Sequence, residues 1–176
     1  MDFQNSRTYQ NILNAYQNQL SNNAKYNIFM RRAEQENLIE LMHAFENTAR
    51  NDLFIAERLR RIIMDGNPST LDNLIEARSD KVVDSDLYRE YARVAQEEGY
   101  DDLSSLFSGI ANIMLNHNTV FNTFISEIQS NELFCKPAGG LWLCLGCGNI
   151  LSANCAPERC PVCGYPQGYY MFYSAF

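Results

Sequence analysis

Near the C-terminus the chain reads Trp142-Leu143-Cys144-Leu145-Gly146-Cys147-Gly148 and, after a spacer, Cys160-Pro161-Val162-Cys163-Gly164. Two Cys-x-x-Cys pairs lie twelve residues apart, and a glycine follows the second cysteine of each. Four thiolates in two short knuckles surround one ion tetrahedrally, and such a donor set suits zinc or iron. Two disulfides, or thiols packed as small apolar groups, would use the same residues, but this double spacing points to a metal. The glycines fit a knuckle. The position past the second cysteine favours φ > 0, and its N–H can then point at a sulfur. Cys144, Cys147, Cys160 and Cys163 are therefore the expected ligands of one iron or zinc ion. The segment that carries them, 142–176, is too short for a large apolar core, and a metal substitutes for it.

Two cysteines, Cys135 and Cys155, stand outside the pairs. The N-terminal stretch Met1-Asp2-Phe3-Gln4-Asn5-Ser6-Arg7 is polar and lacks the apolar run of a signal peptide, so both are expected as reduced thiols in a cytoplasmic protein. The chain has 21 acidic against 14 basic residues, a formal charge of −7, and no Lys/Arg cluster follows a helix face. That balance excludes nucleic acid and an anionic membrane surface as partners. No window approaches a transmembrane span.

Residues 5–131 read as helix almost throughout. Asp65-Gly66-Asn67-Pro68-Ser69 is a break followed by a helix start, with Ser69 or Thr70 as N-cap. Glu97-Glu98-Gly99-Tyr100-Asp101-Asp102 is another, with Gly99 past a helix end and an Asp capping the next helix. A softer break falls at Gln35-Glu36-Asn37. Four helices follow, over 5–33, 37–64, 70–97 and 102–131, and long helices on short loops make an antiparallel bundle. From Asn131 to Leu141 periodicity gives way to Pro and Gly, which reads as a linker over 132–141. The expected organisation is a bundle over 1–131, the linker, and a metal-binding domain over 142–176.

Apolar stripes support the bundle. Leu103, Phe107, Ile110, Met114, His117, Phe121, Phe124 and Ile128 alternate by four and three on the fourth helix, with His117 the polar member. On the second helix Leu38, Met42, Phe45, Ala49, Asp52, Ala56, Leu59 and Ile63 do the same around Asp52. The third-helix stripe begins at Asp80, and the Asn-rich first helix places Gln19 on its stripe. One polar group per stripe suggests a shared polar site. Glu40-Leu41-Met42-His43 also spells Glu-x-x-His, but at about 100° per residue His43 points away from Asp52 and reads as a solvated surface residue.

The tail, with Cys144-x-x-Cys147-Gly148, Ala156-Pro157-x-x-Cys160-Pro161-x-Cys163, Pro166 and a closing aromatic run, resembles the rubredoxin-like domain of the rubrerythrin family. The helices resemble that family through Asn11-Ile12-Leu13-Asn14-Ala15-Tyr16, Phe45-Glu46-Asn47-Thr48-Ala49, Tyr91-Ala92 and Glu97-Glu98-Gly99-Tyr100. The resemblance covers nearly the whole chain. It implies an all-α, ferritin-like antiparallel four-helix bundle with a di-iron site, a C-terminal rubredoxin-like iron centre that delivers electrons, and reduction of hydrogen peroxide. It also implies a homodimer and a redox protein partner.

Residue by residue, the di-iron ligands do not carry over. The first-helix ligand position falls on Gln19, the second-helix pair on Asp52 and Ile55, the third-helix pair on Asp80 and Val83, and the fourth-helix positions on Met114 and His117. Ile, Val and Met cannot coordinate hard iron. Gln19, Asp52, Asp80 and His117 are the residual bundle site, no di-iron centre is expected, and no catalytic residue is assigned. The sequence thus supports a redox protein passing electrons through thiolate-bound iron. The alternative is a non-enzymatic, dimeric partner-binding bundle whose four-cysteine module holds a structural zinc.

Overall fold

The computed structural model describes residues 2–173, so Met1 and the last three positions of the expected 142–176 domain lie outside the described residues. The chain divides into two compact units, residues 1–68 and 69–176. Each contains one antiparallel helix pair.

In the first unit a 3-10 turn, Phe3–Asn5, leads into α1 (Arg7–Gln35), and α2 spans Ile39–Ile63. Ser6 caps α1 by accepting the Tyr9 N–H at 3.1 Å. The break expected at 35–37 is present, and Asn37 turns the chain with φ 58°. Asparagine tolerates that left-handed conformation better than most residues. The line of closest approach is built from small side chains: Ala33, Ala49 and Ala56 are buried. The Asn23 amide crosses from α1 to donate to the Ala49 carbonyl at 2.7 Å. Beside this seam the rings of Tyr26, Phe29 and Phe45 pack at centroid distances of 5.6–6.2 Å.

The second unit starts at the predicted cap. Ser69 accepts the Asp72 N–H and the Asp72 carboxylate accepts the Ser69 N–H, a reciprocal capping box for α3 (Thr70–Glu97). Gly99, φ 83°, ends it. The helix that follows, α4 (Asp101–Gln129), is not capped by an aspartate. Tyr100 holds the cap position with no side-chain bond, and Asp101 and Asp102 lie one step later, in the first turn. There they act through their charge on the exposed helix N–H groups instead. The α3–α4 seam repeats the small-residue rule, with Ser85, Ala92, Ala95 and Ala111 buried. Ser85 donates to the Ala111 carbonyl at 3.3 Å, and Asn118 to the Arg78 carbonyl at 3.0 Å.

The bulky stripes read from the sequence flank these seams rather than fill them. Leu103 stays 46 % exposed and Val83 67 %. Two helices bury only their line of contact, and small residues there let the backbones approach closely; Leu and Phe lie to either side.

After α4 come three antiparallel strands in the order β2-β1-β3: β1 (Cys135–Cys144), β2 (Ile150–Cys155) and β3 (Tyr170–Tyr173). The first strand begins at Cys135, inside the stretch expected to be a linker. Its proline and glycines mark an irregularity, because the β1–β2 register shifts between Cys135 and Gly140. Pro137 and Gly139, φ 71°, sit in that bulge, where regular pairing is interrupted. Gly140 has a different reason: a Cβ there would lie 2.2 Å from the Phe172 ring. An ion pair between Lys136 and Glu127 ties β1 to α4. The register also places Cys135 directly opposite Cys155, and the two form a disulfide. The expectation of reduced thiols is therefore corrected. It rested on the apparent absence of an export signal, whereas strand pairing, which linear spacing does not reveal, brings the sulfurs together.

Candidate metal centre

Each knuckle grows out of the sheet. The first follows β1: Cys144 is wholly buried at the strand end, Gly148 adopts φ 79°, and its N–H donates to the Cys144 carbonyl at 2.8 Å. The second repeats the pattern, with Gly164 at φ 74° donating to the Cys160 carbonyl at 2.9 Å. The glycine N–H groups therefore close the turns and do not reach the sulfurs. That role falls one residue later, where the N–H of Asn149 meets Cys147 and that of Tyr165 meets Cys163. The positive φ of each glycine aims the next N–H.

The four Sγ atoms lie within 4.8 Å of one another, and the pairs Cys144–Cys163 and Cys147–Cys160 are each 3.7 Å apart. A tetrahedron with metal–sulfur bonds of about 2.3 Å has edges of about 3.8 Å. The donor set therefore fits a single four-coordinate iron or zinc ion. Among the described residues this is the one group of three or more His, Cys, Asp and Glu side chains with converging ligand atoms.

The thiols differ in acidity. The Tyr170 hydroxyl beside Cys160, helped by the N–H groups of Cys163 and Val162, holds that thiol down to about 6. At Cys163 the Tyr165 N–H acts in the same direction, but burial and the three other sulfurs push it up to about 12. One sulfur is thus ready to bind as a thiolate near neutral pH, and the crowding that opposes a fourth negative charge is what a cation relieves. Behind the sulfurs lies the buried cluster of the small domain: Trp142, Ala156 and Tyr170 packed with Cys144 and Cys160. The Trp142 indole N–H donates to the Ala153 carbonyl at 3.1 Å.

The residual bundle residues are distributed over both units. Gln19 and Asp52 are half-buried in the α1–α2 pair, and Gln19 Oε1 and Asp52 Oδ2 are buried without a hydrogen-bond partner. Asp80 and His117 are exposed on α3 and α4. His43 is on the surface as expected, although its partner is Glu46, at 3.0 Å, and not Glu40. Sequence reasoning missed Tyr170 as a neighbour of the thiols. The only signal available was the closing aromatic run, in which nothing separates Tyr170 from Tyr169.

A four-thiolate site on a small antiparallel sheet, preceded by four long helices, defines a metal-binding redox protein with a ferritin-like helical part and a rubredoxin-like domain. The family model described as "Rubrerythrin, rubredoxin-like domain" matches residues 142–171. Rubrerythrin-1 of Clostridium acetobutylicum is 27% identical over 182 residues, covering 94% of this chain and 93% of that protein. The rubrerythrin of Nitratidesulfovibrio vulgaris is 28% identical over 178 residues, with 94% and 93% covered. A solved structure of nigerythrin in a mixed-valence state is similar at 22% identity and a TM-score of 0.35, covering 96% of this chain and 87% of that one. Over nearly its whole length the chain is thus similar to rubrerythrins, and its C-terminal segment matches their rubredoxin-like domain. Among the described residues no helix is long and apolar enough to cross a membrane.

Proposed function

We propose that this chain is an electron-transfer protein whose working centre is one iron held by Cys144, Cys147, Cys160 and Cys163. The observation that carries the reading is the pair of 3.7 Å sulfur separations, which match the edge of a tetrahedral thiolate site. Bound iron supplies one-electron exchange at such a site. The chain does the rest. The two knuckles fix four sulfurs, Asn149 and Tyr165 direct N–H groups at two of them, and Trp142 and Ala156 keep water from the inner side. Cys147 is exposed and Leu145 is 60 % exposed, so the outer side of the knuckles offers a redox protein partner a short path to the sulfurs. With its formal charge of −7 it works away from nucleic acid and anionic membrane surfaces. Metal analysis and a visible spectrum of protein purified from its native host test the reading. Iron with thiolate charge-transfer bands that bleach on reduction supports it, and stoichiometric zinc contradicts it.

The peroxide-reducing di-iron chemistry that the family resemblance implies is lost in this reading. Ile55, Val83 and Met114 stand at ligand positions, and the orphaned oxygens of Gln19 and Asp52 are remnants of a polar site that has drifted. Replacing His117 by Leu separates drift from a retained metal. Under drift the variant keeps its metal content and loses little stability; loss of a second ion per chain contradicts it.

A second reading is a homodimeric bundle with a structural zinc. It is favoured by large apolar side chains left in solvent, Phe54 at 72 % and Ile28 at 65 % exposure. Such residues gain most from a neighbouring chain. A monomeric mass at micromolar concentration would remove that support.

A further inference from the structure

Tyr170 opens β3 and lies opposite Cys144 in the antiparallel register. It is 4 % exposed and packs in one buried cluster with Trp142, Cys144, Ala156 and Cys160. Its hydroxyl oxygen is buried and lies beside the sulfurs of Cys160 and Cys144 and the Asn149 side chain, but its contact with Cys160 falls short of full hydrogen-bond geometry. A phenylalanine would fill the same space without burying a polar group, so the hydroxyl calls for an acceptor. A thiol sulfur is a weak acceptor, but a metal-bound thiolate carries negative charge and accepts well.

We propose that Tyr170 is a positioning and tuning residue of the metal centre, donating its hydroxyl proton to the Cys160 sulfur when that sulfur is a metal-bound thiolate. The proposal rests on the reading that the four cysteines hold iron. Cys160 also gathers backbone donors, since the N–H groups of Val162 and Cys163 point at it. Each such bond draws electron density from sulfur and weakens its donation to the ion. The more negative, reduced form of the site then gains more than the oxidised form, and the reduction potential rises. With Trp142 and Ala156 excluding water, one O–H dipole counts for more here than it would at the surface. The tyrosine thus offsets part of the bias against the reduced state that burial imposes.

The test uses the iron-loaded full chain and two variants, Tyr170→Phe and Tyr169→Phe. Tyr169 is 45 % exposed and its ring packs on Tyr165, so its substitution controls for a nearby lost hydroxyl. Tyr170→Phe is expected to keep its iron, shift the midpoint potential to a more negative value and move the thiolate charge-transfer absorption to longer wavelength. Tyr169→Phe is expected to leave both unchanged. An unmoved potential and spectrum in Tyr170→Phe, or equal shifts in Tyr169→Phe, would overturn the proposal while leaving the thiolate centre intact. Failure of the wild-type chain to hold iron would overturn the reading beneath it. Should Tyr170→Phe not fold, NMR of the cadmium-substituted wild type decides. A slowly exchanging Tyr170 hydroxyl proton coupled to cadmium supports the bond, and one that exchanges freely with solvent contradicts it.

Discussion

The helix pairs and the four-cysteine region solve the problem of burial in opposite ways. Each helix pair is long, yet what it buries is mainly alanine and serine along one seam, with aromatic and aliphatic side chains left half-covered beside it. The four-cysteine region is short, yet it encloses Trp142 completely and buries Cys144, Cys160 and Tyr170 around it. A long amphipathic helix is held by many weak, repeated contacts, whereas a sheet of three short strands needs covalent or coordinate closure. The small region has both, a site for an ion and the Cys135–Cys155 bond.

The largest effect should come from removing a ligand. Cys160→Ser should abolish metal binding, forfeiting an apparent binding free energy on the order of 10 kcal/mol, and should melt the small region while far-UV circular dichroism shows the helices intact. Helices lost along with the ion would break the contrast between the regions. Next comes Trp142→Ala, which empties the centre of the small cluster and strands the Ala153 carbonyl. It should cost about 3–5 kcal/mol, measured as easier chelator-driven unfolding of the small region. Opening the disulfide ranks third. The crosslink closes a loop between residues 20 apart, which the chain-entropy model values at about 3 kcal/mol. Cys155→Ser should therefore lower resistance to denaturant with the metal content unchanged, and a lost ion would show that the ligands had been misassigned.

The smallest effect belongs to the helices. Ser69→Ala removes half of the α3 capping box and should cost about 1 kcal/mol. It also changes the acid limb. The Ser69 side chain, then its backbone N–H, holds the Asp72 carboxyl below the usual carboxylate range. That contribution is complete above the ordinary carboxylate pKa and is lost as pH falls through the lowered folded value. In Ser69→Ala the loss should occur nearer the ordinary range, seen as a smaller fall in melting temperature between neutral and acid pH.

The same contrast explains what could be read from the linear chain. Helix ends at Asn37, Ser69 and Gly99 were legible because capping and left-handed turns are local and leave local residues. The convergence of the four cysteines was legible because a knuckle is also local, and its glycine is required where φ reaches 79° at Gly148 and 74° at Gly164. What escaped was pairing between distant residues. The start of β1 at Cys135, the Cys135–Cys155 bond and the approach of Tyr170 to Cys160 all depend on strand register. Pro137 and Gly139 disguised the strand by occupying its bulge. On α2 the stripe did include Ala49 and Ala56, which the seam buries, but Ser85, Ala92, Ala95 and Ala111 of the second pair escaped, because stripe patterns weight bulky residues and closest approach selects small ones.

X-ray absorption at the metal edge of the purified chain tests the four-thiolate centre most directly. One ion per chain is expected, with four sulfur neighbours at about 2.3 Å and no nitrogen or oxygen bound to it. Fewer than four sulfurs, or a second population of oxygen-ligated iron, would contradict it.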